Sequence, residues 1–140
     1  MRLARGFAMV SAIFILVILA ALGGFVVSLS SGQQVGAALD LQGVRAYQAA
    51  RAGLEWGLYR QLRASSCTGA TSFAPAASSL AGFTVTVDCA ATADPGGFSG
   101  PTVYTVTATA CNQPNAAEPL CPNITAPGDL YVERRLSVSF

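Results

Sequence analysis

The sequence predicts an α+β fold: a long N-terminal helix, partly membrane-embedded, packed on a small antiparallel β-sheet. Three features carry that expectation. Phe7–Val27 is a nearly unbroken apolar run of 21 residues, a Pro-free stretch rich in helix formers follows it, and the C-terminal part alternates apolar and polar residues in three runs. A chain of 140 residues holds one modest domain with an attached element. Its composition, 52% hydrophobic and 11% charged, excludes intrinsic disorder, which needs low hydrophobicity and high net charge. A net charge of +1 with no basic cluster argues against nucleic acid as a partner, because neutralising phosphates takes several grouped Lys or Arg. The chain has no His and no Lys. Ser-His and Cys-His pairs, Schiff-base lysines and His-held metals are therefore outside its chemistry. No catalytic, cofactor-binding or metal-ligating residue is expected, and the reading is of a protein that is not an enzyme.

No charged residue occurs from Gly6 to Leu39. At about 1.5 Å per residue, the run from Phe7 to Val27 reaches roughly 30 Å, enough to cross a bilayer core. Arg2 and Arg5 precede it and the next basic residue is Arg45, so the positive-inside rule keeps the N-terminus cytoplasmic and exports the rest. Three readings compete for this segment. A secretory signal would be cut near Ser28-Leu29-Ser30, and a plain anchor would not be cut at all. A prepilin-type leader would end at Gly6, with the cut before Phe7 on the cytoplasmic side of the apolar run.

After a Ser/Gly patch (Ser28, Ser30, Ser31, Gly32, Gly36) comes ALDLQGVRAYQAARAGLEWGLYRQLR. Here Val44, Tyr47, Leu54, Leu58 and Leu62 recur at helical spacings, which suits an amphipathic stripe, and the strands are expected to lie on the Val44–Leu62 helix. Ala46, Ala49, Ala50, Gly53 and Gly57 make a small-residue surface that lets a sheet or a neighbouring helix approach closely, an ordinary core or fibre contact rather than a ligand site. Arg51 and Glu55 form a weak i, i+4 pair. Glu55 beside Trp56 reads as a solvated acid next to a packed ring. Gly23-Gly24 and Gly32-x-x-x-Gly36 read as sites of close helix packing or of local unwinding.

GFAMVSAIFILVILAALGGFVVSLS, followed by this helical stretch, resembles the type IV pilin-like proteins. Within them it is most similar to minor pilins of the mannose-sensitive haemagglutinin (MSHA) pilus system, and AYQAARAGLEWG is similar to the Ala-rich stretch of PilX-like minor pilins. The resemblance covers Gly6 to about Arg63. It implies a leader at residues 1–6, a membrane or fibre-core half-helix at 7–31, an amphipathic half at 32–63 and a head at 64–140. It also implies cleavage between Gly6 and Phe7 by a prepilin peptidase, N-methylation of Phe7, insertion in a bacterial inner membrane, and transfer through a pilus assembly platform to a surface fibre built with other pilin subunits. Most of the family carries a Glu five residues into the mature chain, where this sequence has Ser11. A buried carboxylate is costly and persists only with a partner, which in the family is taken to be the amine of the preceding subunit. Ser11 cannot neutralise that amine, which fits a subunit at the tip or in the initiating complex.

In the C-terminal part, Phe83–Cys89, Val103–Cys111 and Leu130–Phe140 alternate with period two and read as strands. Phe83, Val85 and Val87 would face the core, as would Val132, Leu136, Val138 and Phe140. Arg134 falls on the same inward register and must snorkel at an edge or mark a shifted register. Asp94-Pro95-Gly96-Gly97 reads as the turn between the first two runs. Cys67, Cys89, Cys111 and Cys121 in an exported domain read as two disulfides. Of the three possible pairings, Cys67–Cys89 and Cys111–Cys121 are preferred. Asn123-Ile124-Thr125 matches a glycosylation sequon that carries little weight here. The functional expectation is a minor pilin-like subunit acting in pilus assembly or initiation. The alternatives are a pseudopilin of a type II secretion system and a membrane-anchored or tip-displayed adhesion module.

Overall fold

No proline precedes Pro75, and one helix, α1 (Arg5–Ala64), runs through both the apolar and the amphipathic stretches. The computed structural model describes residues 5–67, 69–93 and 102–140, with side chains from residue 8 onward. Most of the expected leader and the expected Asp94–Gly97 turn lie outside the described residues, as does the side chain of Phe7; of Gly6 and Phe7 the helical backbone is described. The chain divides into two units, Met1–Ala38 and Leu39–Phe140.

Within the second unit, α1 ends where Ser65 takes a left-handed conformation (φ 47°) and the Ser66 N–H turns back to the Arg60 carbonyl. Arg63 in the last turn favours the negative end of the helix dipole. Four strands follow, β1 (Thr71–Phe73), β2 (Thr84–Thr92), β3 (Val103–Cys111) and β4 (Glu133–Ser139), in an antiparallel sheet of order β1-β2-β3-β4. This is an α+β arrangement, with the last part of α1 packed on one face of the sheet. Val85, Val87, Val106, Ala108 and Ala110 form the helix-facing row, with Phe83 and Val132 completing the core.

The alternating run Val103–Cys111 is β3 itself. The last run is shorter than its alternation predicts, because the Tyr131 N–H closes a turn onto Gly128 before β4 begins. Arg134 does sit on the inward register, opposite Ala110. It escapes burial by lying at the sheet edge over Gly43, where an added Cβ would stand 3.0 Å from its Nη2. β1 and the short 3-10 turn Ser78–Leu80 are not foreshadowed by any periodicity in the sequence.

The sheet lies on the small-residue surface of α1 and not on the apolar stripe: Val44, Tyr47 and Leu62 are exposed, and Leu54 and Leu58 are only half-buried. The buried face is Ala46, Ala49, Ala50, Gly53, Gly57 and Gln61. The reason is steric. A Cβ on Gly57 would stand 2.6 Å from Val106 Cγ1 and 2.8 Å from Val87 Cγ1, and one on Gly53 would meet Val85 still more closely. The β-branched side chains of the sheet fill the space that larger helix residues would need, so the small-residue surface takes the contact.

Candidate assembly surfaces

The first unit presents one kind of surface. Ala8 to Ala38 are exposed along their whole length, including Met9, Phe14, Leu16, Phe25 and Val26. Among the described residues this is one helix long and apolar enough to cross a membrane. Ser11 lies within it, exposed. Ser31 donates its hydroxyl to the Val27 carbonyl (3.0 Å), the back-bond by which a serine satisfies itself inside a helix. Nothing lies within 4 Å of a Cβ built on Gly23, Gly24, Gly32 or Gly36, so packing inside the described chain does not explain these glycines.

The second unit presents two surfaces, one on the helix and one on the sheet. On the side of α1 away from the sheet, Leu41, Val44, Tyr47, Tyr59 and Leu62 are exposed. Arg51 and Glu55 lie between them, paired at 3.1 Å with 60% and 65% of their side chains exposed. A pair so solvated contributes a few tenths of a kcal/mol. On the flank, Trp56 packs on Phe73 (centroids 5.3 Å apart) and carries the Arg60 guanidinium 5.2 Å above its ring. Trp56 is thus a packed ring that ties β1 to the helix.

The two disulfides lie on opposite faces of the sheet. Cys89 continues the helix-facing row of Val85 and Val87, and its bond to Cys67 clamps the segment after α1 to β2. Cys111 points the other way, and its bond to Cys121 folds the 112–132 excursion over the outer face. Asn112 braces that excursion: its Nδ2 donates to the Leu130 carbonyl (2.8 Å) and its Oδ1 accepts the Val132 N–H (2.9 Å). Thr86, buried on the outer face, accepts the Cys121 N–H (2.8 Å), and Ser72 donates to the Pro119 carbonyl (2.7 Å). Neither Asn112 nor Thr86 is singled out by the sequence reading. The only hint is a polar residue at each point where the chain leaves or crosses a strand.

The Tyr131 hydroxyl donates to Glu133 Oε2 (2.7 Å) and accepts the Asn123 N–H (3.0 Å). Partial burial, then the bond to Glu133, raise the Tyr131 pKa above its ordinary value of 10.0, since both favour the neutral phenol. Asn123 caps its own loop, its Oδ1 accepting the N–H groups of Thr125 and Ala126. Between excursion and sheet lies an open groove of about 530 Å³ floored by Thr86, Asp88, Thr107, Thr109 and Arg135 and walled by Leu120, Pro122 and Ile124. Ile124 is 85% exposed at its rim. The structure therefore sets Cys67 and Cys89 together under the helix end, Cys111 and Cys121 together on the outer face, and Ser11 in the other unit.

Compared with protein families, curated proteins and solved structures, the chain matches none.

Proposed function

We propose that the chain is a minor type IV pilin-like subunit of an MSHA-type pilus, acting in assembly or initiation at or near the tip, with a structural rather than a catalytic role. The observation that carries this reading is the division of labour along α1. Its first part exposes large apolar side chains suited to a membrane or to a bundle of like helices. Its last part lies under a disulfide-bonded sheet built for an oxidising compartment. A basic leader before Phe7 supplies the expected orientation and the cleavage junction.

In this reading the subunit is inserted in the inner membrane, loses residues 1–6 to a prepilin peptidase, is methylated on Phe7, and passes through the assembly platform to join other pilin subunits. Ser11 leaves it without the carboxylate that would bind a preceding subunit's amine, so it begins a fibre more readily than it extends one. A second reading, a tip-displayed adhesion module, is favoured by the walled groove and its exposed Ile124.

The test is the intact mass and N-terminal sequence of the protein recovered from cells. A chain starting at methylated Phe7 supports the proposal. A start near Gly32 gives an ordinary secreted domain, and an intact Met1 gives a plain anchor; either outcome overturns it.

A further inference from the structure

We propose that the outward face of α1 in the Leu39–Phe140 unit is a self-complementary surface on which a second copy of this chain docks with its helix antiparallel. The inference does not rest on the pilin reading, because it uses only residues of this unit.

The face is fixed by spacing and exposure together. Val44, Tyr47, Arg51, Glu55, Tyr59 and Leu62 follow one another at three- and four-residue steps and so share one side of the helix. All six are exposed, on the side away from the buried Ala46, Ala50, Gly53 and Gly57. Their order is symmetric about Gly53. Val44 and Leu62 are equidistant from it, as are Tyr47 and Tyr59, and Arg51 and Glu55. A two-fold axis at that level therefore brings each Val44 against the partner's Leu62, each Tyr47 against the partner's Tyr59, and each Arg51 against the partner's Glu55. This is the i-with-j, j-with-i pairing of an isologous interface.

The alternatives fit worse. Parallel helices in register set Arg51 against the partner's Arg51 and Glu55 against the partner's Glu55. Sliding one parallel helix by a turn restores the ion pair but sets Val44 against Gln48, Tyr47 against Arg51 and Glu55 against Tyr59. Of these, only the antiparallel arrangement matches apolar with apolar, ring with ring and cation with carboxylate at all six positions. Gln48 against the half-buried Leu58 is an unlike pair inside the face, and the exposed Leu41 lies beyond the paired stretch, its mirror position being Ser65 after the end of α1. In the antiparallel arrangement, the solvated Arg51–Glu55 pair of each chain gains a second partner and becomes a four-charge cluster ringed by Tyr47 and Tyr59. Charge complementarity of this kind fixes register and orientation.

The arrangement also has a topological consequence. The chains leave the paired helices N-terminally at opposite ends, so two copies anchored side by side in one bilayer cannot adopt it. It joins copies borne on two facing surfaces, or units no longer held in a membrane. The partner is thus a second copy of this chain approaching from the opposite side.

The experiment is site-directed cross-linking of the full-length, disulfide-intact chain in detergent. Single variants Tyr47→Cys and Tyr59→Cys are treated with a short bismaleimide, alone and mixed. The expected result is a dimer from the mixture and little from either variant alone, because like positions lie 12 residues apart along the helix, about 18 Å. Efficient cross-linking of Tyr47→Cys to itself, or no cross-linked dimer from the mixture up to hundreds of micromolar, overturns the proposal.

Charge reversal supplies the second arm, with the melting temperature followed to show that the fold is intact. Arg51→Glu is expected to lower the dimer yield at least tenfold, and the swap Arg51→Glu/Glu55→Arg to restore it. A swap that stays monomeric while melting normally overturns the assigned pairing. The N-terminal sequence of the cellular protein is a separate measurement, so failure here and failure of the pilin reading are distinguishable.

Discussion

The two stretches of α1 obey opposite rules. From Ala8 to Ala38 the helix carries Phe, Leu, Ile and Val and buries none of them, whereas from Leu39 to Ala64 its only buried residues are small ones and Gln61. Side-chain size is therefore read in opposite senses in the two stretches. In the first, large apolar residues mark the exposed surface of a stretch long and apolar enough to cross a membrane. In the second, small residues mark the contact, because a helix lying on Val85, Val87 and Val106 must come close, and the valines supply the volume that the helix leaves out. What holds the second stretch is thus steric complementarity, with the apolar area contributed mainly from the sheet side.

That difference is broken most severely at the close approach of helix and sheet. Gly57→Leu puts a full side chain where even a Cβ meets Val106 and Val87 within 3 Å. Overpacking of this kind costs about 1–3 kcal/mol and occasionally more, and here the clash is with β-branched side chains anchored in strands. The expected outcome is a loss of about 3 kcal/mol or unfolding of the Leu39–Phe140 unit, read by near-ultraviolet circular dichroism and a thermal melt. Gly24→Leu, in the first stretch where nothing is near, is expected to leave that melt unchanged. Equal effects from the two substitutions would mean that the stretches do not differ in the way described.

The disulfides rank next. Cys67–Cys89 closes a loop of sequence separation 22 and Cys111–Cys121 one of 10. In the chain-entropy account each contributes about 3 kcal/mol, the longer loop slightly more. Position sharpens the contrast. Replacing Cys67 and Cys89 by Ser frees the segment after the helix from the sheet, so it should loosen the helix contact and raise hydrogen exchange in the last turns of α1. Replacing Cys111 and Cys121 should expose the outer-face groove, with faster exchange at the Cys121 and Val132 amides and little change along the helix. If both pairs destabilised the same amides to the same degree, the sheet's two faces would not be separately clamped.

Much of this unit is legible in the sequence because strand alternation and cysteine spacing are local signals. Val103–Cys111 declares β3 by its period, and the two short-range cysteine pairs preferred from sequence are the pairs the structure joins. The side of α1 that meets the sheet is not legible in the same way. Period 3.6 places Val44, Tyr47 and Leu62 on one side and Ala46, Ala50, Gly53 and Gly57 on another, but hydrophobicity ranks the first set higher. Which side is buried depends on the size of the residues opposite, and those lie in strands thirty to fifty positions away. β1 was equally hidden, since three residues carry no period. It is held by pairing with β2 and by Ser72 reaching the Pro119 carbonyl across 47 residues. Asn112 and Thr86 escape notice for the same reason: their partners belong to a loop whose path no local rule sets.

The smallest effect expected is also the most discriminating. If small residues carry the contact, the large ones opposite should be nearly free to change, although they are the more hydrophobic set. Leu62→Ala removes three carbons from a residue that is 66% exposed. At a truly buried position a Leu→Ala change costs about 2–5 kcal/mol. Here it should fall within about 0.5 kcal/mol of wild type, as surface substitutions do, with the small gain in helix propensity offsetting part of the loss. Arg51→Ala should behave alike, since the ion pair it breaks is mostly in water. Both melts are run at low concentration, so that any pairing between copies does not add to the apparent stability. A loss of 2 kcal/mol or more for Leu62→Ala in a dilute sample would place that side chain, and the amphipathic stripe with it, in the core. A loss that appears only as concentration rises would instead locate the energy of Leu62 between copies, and the outward face of the second stretch would then resemble the first stretch, a surface whose large residues await something outside the chain.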